Sequence, residues 1–189
     1  MISLDAELML YHGSYAPIEE IRLEQCAPGR DFGQGFYLTT SVEQARRFVP
    51  LACRKRARNL GTDSLTHGFI TSFRFTPNPG LMTHVFPEAD IEWLHFVAAN
   101  RRTSLFANKL RDLRHCDVIA GKVANDRTAR TLQLYVSGAY GEPGSNEADA
   151  IAIATLLPNR LEDQVCFRTE TGISCLTFEG SERIDFATR

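Results

Sequence analysis

One stretch restricts this chain more than any other. Tyr11-His12-Gly13-Ser14 is followed by Asp31-Phe32-Gly33-Gln34-Gly35-Phe36-Tyr37-Leu38-Thr39-Thr40, and then by a segment carrying Gln44, Ala45 and Phe48. The apolar run Leu8 to Tyr11 ends in a histidine and a glycine, which predicts a buried strand opening into a tight corner. Two glycines around Gln34 and then Phe-Tyr-Leu predict a short strand entered through a flexible turn. Ser41 with Gln44 three positions later has capping-box spacing and starts a helix. The stretch therefore reads strand, corner, loop, strand, helix. If the two strands are neighbours, it delivers a polar His12, a backbone-accessible Gly13 and the Tyr37 ring to one place.

The rest of the chain sets limits on class. Its 189 residues are 43% hydrophobic and 23% charged, enough for one domain over 1–189 with its own core. A formal net charge of -2 gives no global pull toward nucleic acid or an anionic membrane. There is no apolar run of about 18 residues, so no membrane span is expected. Met1 to Leu8 holds Asp5 and Glu7 and no basic residue, unlike a Sec-type signal. The expected location is the cytoplasm, of the producing cell or of a target cell reached without such a signal. Five cysteines, Cys26, Cys53, Cys116, Cys166 and Cys175, lack any Cys-Xaa-Xaa-Cys pair and read as small buried residues in a reducing compartment. The five histidines are scattered without ligand spacing, so no metal is expected. A Gly-Xaa-Ser-Xaa-Gly elbow is missing. Gly33-Gln34-Gly35 precedes a strand rather than a helix, which excludes a Rossmann fingerprint. Asp31-Phe32-Gly33 stands without the His-Arg-Asp loop a kinase needs.

In order, the pattern predicts a strand at Leu8–His12, a connection over Ala16–Pro28 anchored by Ile18, Ile21 and Leu23, and a strand at Gly35–Thr39. A helix follows over Ser41–Leu60, kinked or divided at Pro50. Between Gln44 and Thr62 there is no acidic residue, while Arg47, Arg54 and Arg58 recur at helical spacing. That is a solvated basic face or a surface for an anionic partner. Gly68–Phe75 alternates as a strand with one apolar face, and Leu81–Phe86 is a further short extended piece. Pro87 to Asp90 opens a helix with Ile91, Leu94, His95 and Ala98 on one side, so His95 reads as a satisfied core histidine and Trp93 as packing. Arg101–Arg114 reads as loop with room for a helix, and Asp117–Val123 as a strand. Asn125 or Asp126 caps a helix carrying Leu132, Tyr135 and Val136. Gly138–Ser145 is a loop, Glu147–Leu157 a helix stopped by Pro158, and Gln164–Arg168 and Ile173–Phe178 are strands. The sum is an α+β domain without repeats or an interdomain linker.

The ordered blocks carry a resemblance. His12-Gly13-Ser14 on a first strand, then Gly33-Gln34-Gly35-Phe36-Tyr37-Leu38-Thr39 on a second, are similar to the NAD-binding core of ADP-ribosyltransferases of the diphtheria-toxin and poly(ADP-ribose)-polymerase branch. That branch carries a second aromatic eleven positions after the motif tyrosine, and here Phe48 stands there. Together with Val123 to Asp126 and Gln164 to Phe167, the blocks resemble a family of uncharacterised bacterial domains in the same superfamily, over roughly Leu8 to Phe178. The resemblance implies two small, mostly antiparallel sheets around an NAD cleft, with helices outside. It implies that His12, Tyr37 and Gln164 are the catalytic positions. It further implies that His12, Gly13, Ser14, Gly35, Phe36, Tyr37 and Phe48 bind NAD. His12 would bond a ribose hydroxyl, Gly13 would offer backbone groups to the nicotinamide amide, and Tyr37 and Phe48 would stack on its ring.

The third position departs from the branch, where a glutamate is frequent. Gln164 lies in Glu162-Asp163-Gln164-Val165-Cys166-Phe167, and in a strand Glu162 shares its face. An uncharged residue there argues for transfer of single ADP-ribose units over chain elongation. The implied activity is a nicotinamide-releasing transferase that uses NAD as co-substrate and no metal. It would modify a protein target, or a nucleic acid, as a bacterial toxin or effector held by a cognate antitoxin, with no membrane partner. NAD hydrolysis and an inactive NAD- or ADP-ribose-binding module are the alternatives.

Overall fold

The computed structural model describes residues 2–62, 65–123, 126–156 and 161–186. The first strand, β1 (Leu8–Ser14), leads through a 3-10 turn at Leu23–Gln25 to β2 (Phe36–Leu38). Helix α1 (Val42–Leu60) follows, then β3 (His67–Phe75), β4 (Thr83–Val85), α2 (Ile91–Arg101), α3 (Ala107–Asp112) and β5 (Val118–Lys122). The chain closes with α4 (Asp126–Val136), α5 (Asn146–Leu156), β6 (Asp163–Phe167), α6 (Glu170–Ile173) and β7 (Leu176–Asp185). The predicted caps at Asn125 and the stop at Pro158 lie outside the described residues.

The strands form two sheets, an antiparallel one in the order β1-β3-β7 and a second in the order β2-β6-β5-β4, parallel only between β4 and β5. The sheets touch where Tyr11 N donates to Thr39 O at 2.8 Å and Thr39 N donates to Tyr11 O at 3.0 Å. So β1 and β2 are neighbours.

Strand alternation distributes the core. Leu10, Phe73 and Phe75 of the first sheet pack with Phe36, Leu38, Val118, Ala120, Val165 and Phe167 of the second. The odd-numbered partners on the far face, Tyr37 and Ile119, join Cys166 under α2, α4 and α5, with Trp93, Phe96, Leu132 and Tyr135. Both faces of the second sheet are thus covered, although its strands are short.

Helix α1 is not divided at Pro50. Ala45, Val49, Cys53 and Ala57, spaced by four, are all buried, and Ser41 Oγ caps the start by accepting from Gln44 N at 3.1 Å. This repeated seat on β1 and β3 carries the helix across the hydrogen bond that proline removes. The reciprocal half of the capping box is rerouted, since Gln44 Oε1 accepts from Thr39 Oγ1. β3 has two buried faces rather than one, because Gly68 and Ile70 lie under α1 while Phe73 and Phe75 face the core between the sheets. Ile173 ends a short helix instead of starting a strand, and β7 runs on to Asp185.

Candidate functional site

The junction of β1 and β2 assembles the residues singled out above from the inside outward. His12 Nδ1 lies 2.8 Å from the Tyr37 carbonyl oxygen. A carbonyl only accepts, so Nδ1 carries the proton and, in the neutral ring, Nε2 keeps its lone pair. Burial holds the His12 pKa below its ordinary value, opposed in part by the bond to Tyr37. The neutral ring is therefore the favoured form. Its centroid sits 4.6 Å from that of Phe36, and Phe36 in turn meets Phe73 edge-on at 5.7 Å. Nε2 has no hydrogen-bond partner among the described residues.

Gly13 follows with its α-carbon against α1. A Cβ there would stand 2.2 Å from the Ala45 carbonyl oxygen, so glycine is what lets the helix approach the strand. Ser14 is buried, and its hydroxyl donates to the Ala16 carbonyl, closing the corner. Gly35 is equally confined, since a Cβ would lie 2.6 Å from both Cys166 Sγ and the Phe167 carbonyl oxygen, where the chain enters β2 beside β6.

Tyr37 points to the opposite face of β2 from Phe36. It pairs with Cys166 across the strands, and its ring packs on the core under α2. Its hydroxyl donates to Gly33 O at 2.7 Å and accepts from Phe32 N at 3.0 Å. Burial, with Cys166 as neighbour, raises the pKa of this phenol, and burial pushes the Cys166 thiol up to about 12. Phe32 itself is fully buried, which contributes about 2 kcal/mol toward holding the Asp31–Gly33 loop in place.

Gln164 shares the Tyr37 face of the second sheet, two positions before Cys166. It is 7% exposed. Its Nε2 donates to Asp31 Oδ2 and to the Lys122 carbonyl, each at 3.2 Å. Trp93 Nε1 donates to the same carbonyl at 3.1 Å. Asp31 Oδ1 is held by Arg101 at 2.6 Å, and Asn100 Nδ2 donates to the Asp31 carbonyl at 3.2 Å. Arg101 Nε is buried without a partner among the described residues. The Arg101 side chain also lines a cleft of about 760 Å³ with Arg102, Arg130 and Gln133, and none of the sequence-predicted site residues lines that cleft.

Phe48 stands on α1, 51% exposed, and makes no ring contact with Tyr37 among the described residues. Its neighbour Arg47 pairs with Glu162 just before β6, tying α1 to the start of that strand. Glu162 thus stands one residue before β6, in an exposed ion pair. Of the basic residues of α1, Arg46 lies near Glu43 and Glu182, and Arg56 sits 5.0 Å from the Tyr15 ring centroid. Arg54, Lys55 and Arg58 are exposed.

The structure thus joins His12, Phe36 and the Tyr37 backbone at one point. It joins the Tyr37 side chain, Asp31 and Gln164 on the opposite face of the second sheet, with Phe48 on the exposed side of α1. Sequence reading missed Asp31, Asn100 and Arg101 as parts of the site. The one local signal was an acidic residue directly before a phenylalanine in a glycine loop. Among the described residues no group of three His, Cys, Asp or Glu side chains is placed to hold a metal ion, and no helix is long and apolar enough to cross a membrane.

Fold and site define a two-sheet α+β protein whose sheets meet at the Tyr11–Thr39 pair, beside a histidine-to-carbonyl bond. The chain belongs to the family described as Protein of unknown function (DUF3990), which matches residues 8–178. No curated protein and no solved structure matches it.

Proposed function

We propose that this protein is an NAD-dependent mono-ADP-ribosyltransferase with an ADP-ribosyltransferase-like fold, transferring one ADP-ribose to a macromolecular target. The observation that carries the reading is the bond from His12 Nδ1 to the Tyr37 carbonyl. It fixes a proton on Nδ1, and in the neutral ring that burial favours, Nε2 is the acceptor, the chemistry needed to hold a ribose hydroxyl. Breaking the nicotinamide–ribose bond passes through an oxocarbenium-like state, and the residues' part is to hold the sugar in the reacting geometry. Tyr37 supplies a ring fixed through its hydroxyl, and the exposed Phe48 supplies a second flat surface on the helix that seats against Gly13. Gln164 is uncharged, which fits transfer of single units. A role as a bacterial toxin or effector acting on a protein, and control by an antitoxin, rest on the sequence resemblance alone.

A second reading, an inactive NAD- or ADP-ribose-binding module, is favoured by one feature. The Gln164 amide hydrogens are already committed to Asp31 and Lys122. Incubation with NAD labelled in the adenylate part, in a whole-cell lysate, separates the two. Label attached to a macromolecule, with nicotinamide released, is the expected result. Free ADP-ribose alone would make the protein a hydrolase, and binding without turnover would make it a module.

A further inference from the structure

The buried face around Gln164 holds a carboxylate that β6 does not supply, since Asp163 alternates to the other side. Asp31 comes from a loop 133 residues earlier and reaches Gln164 with one carboxylate oxygen while Arg101 takes the other. Both partners of Gln164 Nε2, a carboxylate oxygen and the Lys122 carbonyl, are acceptors. The nitrogen must therefore face them, and the amide has only one orientation that satisfies the pair. The Lys122 carbonyl also receives the Trp93 indole, so both of its lone pairs are in use. Oε1 is left as the end of the side chain with no partner among the described residues.

We propose that Asp31 is the positioning residue of this site: it clamps the Gln164 amide so that Oε1 is the fixed acceptor offered to a ligand hydroxyl. The same clamp selects glutamine at this position. A glutamate would set a second carboxylate against the first at about 3.2 Å in a buried place, and like charges there repel. The acidic group of the site stands at 31 and acts through 164. The identity of the ligand, a ribose-bearing nucleotide, rests on the ADP-ribosyltransferase reading, whereas the clamp does not.

The test follows the Gln164 side-chain amide by nitrogen-15 NMR in the full chain, alongside NAD affinity. In the parent protein the two Nε2 hydrogens should exchange slowly. Asp31→Asn should speed that exchange by about tenfold or more, because a hydrogen bond to a charged acceptor is lost. NAD affinity should fall by a similar factor. The double variant Asp31→Asn with Gln164→Glu removes the like-charge contact of Gln164→Glu alone, while the new carboxylate still faces the Lys122 carbonyl. It should bind NAD about tenfold or more tightly than Gln164→Glu alone, a coupling that simple loop anchoring by Asp31 does not predict. Should Asp31→Asn fail to fold, the double variant against Gln164→Glu alone gives the same comparison. Unchanged amide exchange in Asp31→Asn, or a double variant that binds NAD no better than Gln164→Glu alone, overturns the proposal. If the parent binds no NAD, the transferase reading fails, while the amide exchange still decides the clamp.

Discussion

Tyr37 has two attachments that separate by chemistry. Its ring is the stacking surface of the proposed site, and its hydroxyl is the pin of the Asp31–Gly33 loop. Removing only the hydroxyl leaves the Gly33 carbonyl and the Phe32 amide facing a carbon. Tyr37→Phe is therefore expected to cost about 1–3 kcal/mol of folding stability, read by urea unfolding. NAD affinity per folded molecule should stay close to that of the parent. A variant as stable as the parent would mean that the loop is held by Phe32 burial and by Asp31 without the hydroxyl.

At the scale of elements, the approach of α1 to β1 is set by Gly13. Adding one methyl at Gly13→Ala drives a carbon into the Ala45 carbonyl and to 3.3 Å from Val49 Cγ2, and backbone cannot step aside as a flexible side chain can. The expected cost is about 3 kcal/mol or more, seen as a lowered urea midpoint with loss of protection in α1. A midpoint equal to the parent's would show that the helix can shift without penalty. Elements of this kind were legible because their signals are local. Ser41 caps α1 and Asp90 caps α2, accepting from Trp93 N at 2.9 Å, and each announces itself within four residues. The last elements were not legible. α6 is a single turn capped by Thr169, too short to show a period. β7 is an edge strand whose residues past Phe178, Glu179 to Arg183, are polar or glycine, so no apolar alternation marks it. The Asp31–Gln164 contact joins positions 133 apart in the chain, and no local pattern encodes it.

Taken whole, the molecule should weaken toward mild acid. Burial lowers the pKa of His12, and burial likewise lowers that of His84, whose neighbour His115 adds to the effect against Glu92. Above the ordinary value of 6.5 both rings are neutral in the folded and unfolded chain alike, and nothing is lost. As pH falls below that value the unfolded chain takes up protons that the folded one resists, so stability declines. The exposed Glu20–Arg22 and Glu179–Arg74 pairs act lower, below the ordinary carboxylate value of 4.5. Urea unfolding should show stability rising from about pH 5 to about pH 6.5 and level from there to about pH 8, with a smaller slope in His12→Gln. A slope unchanged in that variant would assign the effect to His84. The donor arrangement at His12 has a genetic corollary. Its tautomer is dictated by a main-chain carbonyl, so any residue at position 37 that keeps the strand also keeps the imidazole's proton on Nδ1. Exchanging the aromatic surface and preserving the hydrogen-bonding base are therefore independent events, and selection can vary one without disturbing the other.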